Sequence, residues 1–146
     1  MTLADWAARG WITPHATAVQ EIHDLLAASQ RDLADARKGL SPDWRFVIAY
    51  HAALRLCSAA LLATGFRAAR EQLHYRTIAA LPLVVGPTAG ELTGFLDHCR
   101  RKRHEIAYGT RSAVSPGEVE ELIASVDELD GRVRTWLRRR HAGLNA

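Results

Sequence analysis

Apolar residues in this chain recur at intervals of three and four, which is the spacing of one face of an α-helix. The clearest case is the run Phe46, Tyr50, Ala53, Cys57 and Leu61. Prolines and capping residues fall just before such runs, and glycines fall just after them. No alternating pattern long enough for a convincing strand is present. The pattern therefore predicts an all-α protein.

The same signals divide the chain into five principal helices, with a short helical turn expected first, around residues 4–8. The first principal helix is predicted to open at Thr13 and Pro14 and to close at Gly39. Its apolar stripe contains Val19, Ile22, Leu25, Leu26 and Leu33. The second is predicted to open at Ser41 with Pro42 and to end at Gly65. This second helix is rich in alanine, so neighbouring helices can approach it closely, and we expect it to be central.

The third helix is predicted over residues 68–85, bent or ended by Pro82, which lacks a backbone N–H donor. Thr88 and Glu91 have the spacing of a capping box for the fourth helix, which should run to about residue 107. Ser115 and Glu118 have the same capping-box spacing at the start of the fifth helix. We expect an antiparallel bundle of about five helices with short loops.

The composition indicates one folded domain over residues 1–146, with 48% hydrophobic and 24% charged residues. Cys57 and Cys99 have no spacing typical of a zinc site or a disulfide framework, so they are expected to be free thiols in a reducing compartment. The N-terminus has no pattern of a signal peptide, and the apolar run 46–66 is interrupted by His51 and Arg55. We interpret this run as a core helix rather than a membrane span and expect a cytoplasmic protein.

The chain is mildly basic, with a net charge of +3, and basic residues cluster at positions 100–103 and 138–140. Arg67, Arg70 and His74 have helical spacing and are expected to form a basic edge of the third helix. Such edges can bind phosphate or simply face solvent. His51 and His74 are interpreted as packing or surface residues rather than catalytic residues.

Arg103 lies in the middle of the apolar stripe of the fourth helix, where leucine would be expected. That stripe is formed by Leu92, Phe95, Leu96, Cys99 and Ile106. A buried guanidinium is costly unless it is paired, so this position suggests a functional site, a subunit interface or an internal ion pair. Asp24 and Asp127 are candidate partners for such a pair.

The segment CRRKRHEIAYG, residues 99–109, resembles the signature of the HEPN superfamily. In that superfamily a helical bundle carries an arginine, a polar residue directly after it, and a histidine four to six residues further on. Arg103 matches the arginine, and His104 stands at the polar position. The segments AYHAALRLCSAALLATGFR and HYRTIAAL resemble the superfamily's core, and the similarity extends over about residues 43–137.

The histidine of the signature is replaced here by Tyr108, and neither Gly109 nor Thr110 supplies one. Ribonucleases of the superfamily are thought to use that histidine in acid–base chemistry and the arginine to stabilise phosphate charge, across a homodimer and without a metal. Tyrosine has an ordinary pKa near 10 and is a poor proton acceptor at neutral pH. The resemblance therefore implies no metal and no cofactor, and it does not by itself imply catalysis.

Three hypotheses follow for the function. In the first, the chain is a binding module that binds RNA or a protein partner without catalysis, and the resemblance implies a homodimer. Members of the superfamily often occur in prokaryotic toxin–antitoxin and defence modules, so a nucleotidyltransferase or another antitoxin protein is a possible partner. The residues expected to bind are Arg100, Arg101, Lys102, Arg67, Arg70 and His74.

In the second hypothesis, the chain is a metal-independent ribonuclease toxin that uses Arg103 with Tyr108 or His104 as candidate catalytic residues. In the third, it is a small helical scaffold in which Arg103 stabilises a dimer and does nothing else. The chain lacks the motifs of nucleoside-triphosphatases, HExxH metalloproteases and two-carboxylate glycosidases, so those activities are poorly supported.

Overall fold

A computed structural model describes residues 1–109 and 114–140 of the chain. Four long helices form most of it: α2 (Val19–Ala36), α3 (Pro42–Ala63), α6 (Gly90–Tyr108) and α7 (Pro116–Arg140). Shorter elements are α1 (Leu3–Ala8), β1 (Ile12–Pro14), β2 (Phe66–Ala68), α4 (Leu73–Ala79) and α5 (Leu81–Val85). The prediction of an all-α bundle is confirmed.

Helix α3 is the centre of the bundle, as its composition predicts. It packs most extensively against α2 and α7 and also contacts α4 and α6. Its alanines at 49, 52, 53, 59 and 60 are fully or almost fully buried, which lets the flanking helices approach closely. By length and apolar character α3 could cross a membrane, but most of it is buried inside this fold, as in a core helix.

Two predicted helix starts are wrong because those residues form a small sheet. Thr13 and Pro14 belong to β1, which pairs antiparallel with β2 so that Thr13 lies opposite Arg67. Helix α2 therefore begins later, at Val19, where the Glu21 carboxylate accepts a hydrogen bond from Ala18 N at 3.0 Å. Ala68 likewise lies in β2 rather than in the third helix, and α4 begins only at Leu73.

The region of the predicted third helix is two short helices. Helix α4 ends at Ala79, and α5 begins at Leu81 with Pro82 in its first turn, where the missing N–H of proline costs no helical hydrogen bond. The predicted effect of Pro82 is thus correct. The capping box at Thr88 and Glu91 is not formed, because residues 87–89 make a 3₁₀ turn and α6 begins at Gly90.

A second, smaller core attaches the N-terminal elements to the bundle. Its buried members come from α1, both strands, α3 and the α4–α5 junction: Trp6, Ile12, Leu61, Ala68 and Ala80. The Arg76 guanidinium lies 3.8 Å from the Trp11 ring centroid, which is a cation–π contact. These contacts hold α4 against the bundle, and α4 in turn carries His74 to the site described next.

Candidate functional site

Arg103 is half-buried on α6, one turn after the buried Cys99, as the stripe predicts. Its Nε atom is enclosed, and no hydrogen-bond partner for this atom occurs among the described residues. The two expected carboxylate partners are engaged elsewhere: Asp127 pairs with Arg37 at 2.7 Å, and Asp24 accepts a hydrogen bond from Gln20 at 2.8 Å. The prediction of an internal ion pair with either aspartate is therefore wrong.

Arg103 borders a groove of about 460 Å³ between the end of α6 and the start of α3. The α3 side contributes Trp44, which is 62% exposed, together with Val47. The α6 side contributes Ile106 and Ala107 besides Arg103. The groove thus combines a cation with apolar walls and an exposed indole ring.

A polar cluster lies where α3, α4 and α6 meet. Tyr50 of α3 is fully buried, and its ring centroid lies 6.0 Å from that of His51 and 6.2 Å from that of His74 on α4. The Tyr50 hydroxyl, like Arg103 Nε, has no hydrogen-bond partner among the described residues. The charge of Arg103 acts on all three side chains.

The pKa values in this cluster are shifted by burial and by Arg103. Burial is the main cause that lowers the pKa of His51, Arg103 lowers it further, and Asp32 opposes the change. Burial and then Arg103 also lower the pKa of His74, with smaller effects of His51 and Arg100. Burial raises the pKa of Tyr50 well above its usual value. At neutral pH both imidazoles are therefore neutral, and the tyrosine hydroxyl is protonated.

The two candidate partners of Arg103 within the sequence signature point elsewhere. His104 and Tyr108 are both exposed, and their rings contact each other with centroids 4.6 Å apart and planes inclined at 48°. Neither residue borders the groove next to Arg103. The structure therefore does not bring them together with the Arg103 guanidinium. Thr110 lies outside the described residues.

The three basic residues before Arg103 differ from it because each has a carboxylate nearby. Arg100 pairs with Asp97 at 2.8 Å and also lies over the Tyr75 ring, while Arg101 is 3.7 Å from the same aspartate. Lys102 Nζ lies 4.0 Å from Glu105 and 3.8 Å from Glu118. These basic side chains are partly neutralised.

The predicted basic edge of Arg67, Arg70 and His74 is not one surface, and the prediction is wrong in this respect. Arg67 lies in β2 and Arg70 in the loop after it, and both border a separate cavity of about 620 Å³ with an apolar floor. His74 lies on α4 and belongs to the cluster around Tyr50. The helical spacing failed here because the first two residues are not helical.

The described residues offer no group of three metal-ligating side chains. Cys57 and Cys99 are buried free thiols, and burial raises the pKa of each to about 12, so neither is a reactive thiolate at neutral pH. His51 and Tyr50 were missed as site residues. The available signal was a histidine beside a tyrosine in the most apolar helix of the chain.

The family comparison agrees with the fold. A model of the SAV_6107-like HEPN family matches residues 34–134, well over half of the chain. The chain therefore belongs to this HEPN family, which confirms the resemblance seen in the sequence. Comparisons with curated proteins and with solved structures gave no significant match.

Proposed function

We propose that this HEPN domain binds RNA through Arg103 and does not cleave it with its own Arg103–Tyr108 signature. The observation that carries the proposal is the half-buried Arg103 guanidinium, whose Nε is enclosed without a partner among the described residues. Leaving such a group unpaired costs free energy, which a bound anion would recover. Arginine suits phosphate because its planar donor fork matches two phosphate oxygens.

The surroundings of Arg103 favour a nucleotide over a simple anion. Trp44 presents an exposed ring on the opposite side of the 460 Å³ groove, and an exposed aromatic ring can stack on an unpaired base. Val47 and Ile106 supply apolar contact area beside it. A phosphate on Arg103 and a base in the groove would together occupy this end of the bundle.

We propose the absence of catalysis because of where Tyr108 and His104 lie relative to Arg103. Tyr108 is 78% exposed and contacts His104, and neither residue borders the groove next to Arg103, so neither side chain is placed to exchange a proton with a substrate bound in that groove. Homodimer formation, a protein partner such as a nucleotidyltransferase, and a role in a toxin–antitoxin or defence module stay predictions from the family.

The test compares Arg103→Gln with Arg101→Gln in gel retardation of mixed cellular RNA, in the presence of EDTA to suppress contaminating metal-dependent nucleases. Arg101 is the matched control because it is exposed on the same helix and paired with Asp97. Loss of a half-buried, charge-assisted phosphate contact should weaken binding by roughly tenfold or more in Arg103→Gln. Arg101→Gln should lose only a few-fold, through reduced overall charge.

Equal losses in the two variants, or no retardation by the wild-type chain, would contradict the proposal. Cleavage by the wild type that disappears in Arg103→Gln would instead establish the ribonuclease hypothesis. Arg103→Leu tests the scaffold hypothesis, because a purely structural arginine tolerates an apolar replacement. Unchanged RNA affinity in Arg103→Leu would favour the scaffold.

A further inference from the structure

The cavity of about 620 Å³ lies between the small sheet, the end of α3 and the start of α4, and it shares no residue with the groove at Arg103. Its volume is in the range of pockets that hold small organic ligands. We propose that this cavity binds a small amphipathic anion, whose carboxylate or phosphate head group is held by Arg67 and Arg70 and whose aliphatic body lies along the apolar wall.

The local backbone brings both arginines to the rim of this cavity. Thr13 lies opposite Arg67 in the β1–β2 pair, so the two side chains are on the same face of the sheet, and both border the cavity. Gln72 has a left-handed backbone conformation, with φ 55°, immediately before α4. The chain turns there, and both Arg70 before the turn and Leu73 after it border the cavity.

The charges of the two arginines are not neutralised by the protein. Within the described part of the chain, neither Arg67 nor Arg70 has a carboxylate at ion-pair distance, and Glu71 next to them forms no ion pair. Glu21, which lies near β1, is paired with His15 at 2.8 Å. Both arginines are exposed, so the rim has a positive potential that favours an anionic head group.

A buried hydroxyl provides a further polar group for the head. Thr77 of α4 is only 4% exposed and borders the cavity, and its hydroxyl forms no hydrogen bond among the described residues. Ser58 and Thr13, which also border the cavity, make no side-chain hydrogen bond in that part of the chain either. Carboxylate and phosphate oxygens accept hydrogen bonds from hydroxyls as well as from guanidinium groups.

The apolar wall favours an aliphatic body over a nucleobase. Leu61 and Leu62 of α3 and Leu73 of α4 form much of it. Leu73 is 45% exposed, so a bound alkyl chain would remove apolar surface from water there. Among the described residues that border the cavity none is aromatic, so it offers no ring on which a base could stack.

The experiment titrates the intact chain by calorimetry with four ligands that share an eight-carbon chain: octanoate, octyl phosphate, octanol and octylamine. We expect the two anions to bind, octanol to bind about fivefold or more weakly, and octylamine not to bind detectably, because the head group meets two arginines. Hexanoate should bind about tenfold more weakly than octanoate because it buries two methylenes fewer. Methyl NMR shifts of Leu61, Leu62 and Leu73 should locate the ligand.

Three variants connect binding to the cavity. Arg67→Gln and Arg70→Gln should each weaken octanoate binding several-fold. Arg31→Gln is the matched control, because Arg31 is exposed on α2, forms no ion pair among the described residues and does not border the cavity. Ala69→Leu narrows the cavity without changing its charge and should also weaken binding, while an unchanged melting temperature verifies that this variant is folded.

Several results would overturn the inference. These are no binding of either anion, equal affinity for octanol and octanoate, binding that is unchanged in both arginine variants, or methyl shifts confined to other parts of the chain. Displacement of octanoate by RNA would assign the two arginines to RNA and would also overturn it. The proposed function is tested separately, because Arg67→Gln should change RNA retardation only a few-fold whereas Arg103→Gln should weaken it strongly.

Discussion

At the scale of single residues, the buried Tyr50 hydroxyl destabilises the folded chain because it has no hydrogen-bond partner among the described residues. A buried polar group without a hydrogen bond destabilises a protein by about 1–3 kcal/mol. Tyr50→Phe should therefore raise the free energy of unfolding of the ligand-free chain by about 0.5–1.5 kcal/mol, measured by urea denaturation. Tyr75→Phe is the control, because Tyr75 is 40% exposed and should change stability little. A less stable Tyr50→Phe chain would show that the hydroxyl is satisfied in solution.

Arg103 could be predicted from the sequence, but its neighbours could not. Its place in the stripe follows from helical periodicity within one helix, and the structure confirms that it is half-buried beside Cys99. His51 and His74 meet Tyr50 only because α3 and α4 pack together, and no local pattern encodes which helices are adjacent. The assignment of His51 to packing or surface, and of His74 to a basic edge with Arg67 and Arg70, therefore missed the cluster.

At the scale of elements, two sequence motifs of the same form behave differently. Ser115 and Glu118 make a complete capping box: Glu118 N donates to Ser115 Oγ at 3.2 Å, and Ser115 N donates to the Glu118 carboxylate at 3.1 Å. Thr88 and Glu91 have the same spacing, but the 3₁₀ turn before α6 removes Thr88 from the cap position. The Thr88 hydroxyl instead accepts a long hydrogen bond from Arg132, at 3.4 Å.

Alanine substitutions at Ser115 and Thr88 should affect the free energy of unfolding differently, because only Ser115 caps a helix. Ser115→Ala should lower the free energy of unfolding by about 1 kcal/mol, because it removes the acceptor for an unpaired helical N–H. Thr88→Ala should change it by less than about 0.5 kcal/mol, since only an exposed side-chain contact is lost. Thermal unfolding followed by circular dichroism measures both, and equal effects would contradict the difference in helix starts.

Elements could be predicted where residues close together in the sequence determine them, and not where distant residues do. The starts of α3 and α7 depend on local caps, Ser41 and Ser115, and both predictions are confirmed. Strands β1 and β2 have three residues each, too few for alternation to be detected, and they are stabilised by pairing with each other across the chain. Thr13 followed by Pro14 therefore predicted a helix start. Pairing with residues 66–68 instead places both residues in a strand.

At the scale of the whole molecule, the two imidazoles make stability depend on pH. In the folded chain the pKa values of His51 and His74 lie below the ordinary value of 6.5, so between the folded and unfolded pKa values the unfolded chain binds more protons. The free energy of unfolding should therefore be highest above the unfolded pKa and fall as pH decreases from about 7.5 to about 5.5. The double variant His51→Gln/His74→Gln should flatten this decrease.

This pH window is separate from that of the carboxylates. Asp5 and Glu21 also have lowered pKa values, each chiefly because its carboxylate accepts a backbone hydrogen bond, but their stabilising effect is lost only at more acidic pH, as the carboxylates protonate. A decrease confined to pH values below the ordinary carboxyl pKa of about 4.5 would thus contradict the role of the histidines.

Bound RNA should weaken this dependence, because a phosphate on Arg103 would offset one of the charges that lower the pKa of His51 and His74. Unfolding monitored in saturating RNA should then show a smaller decrease in stability between about pH 7.5 and 5.5 than unfolding of the free chain. A parallel decrease with and without RNA would mean that no phosphate lies near Arg103, and it would contradict the proposed function.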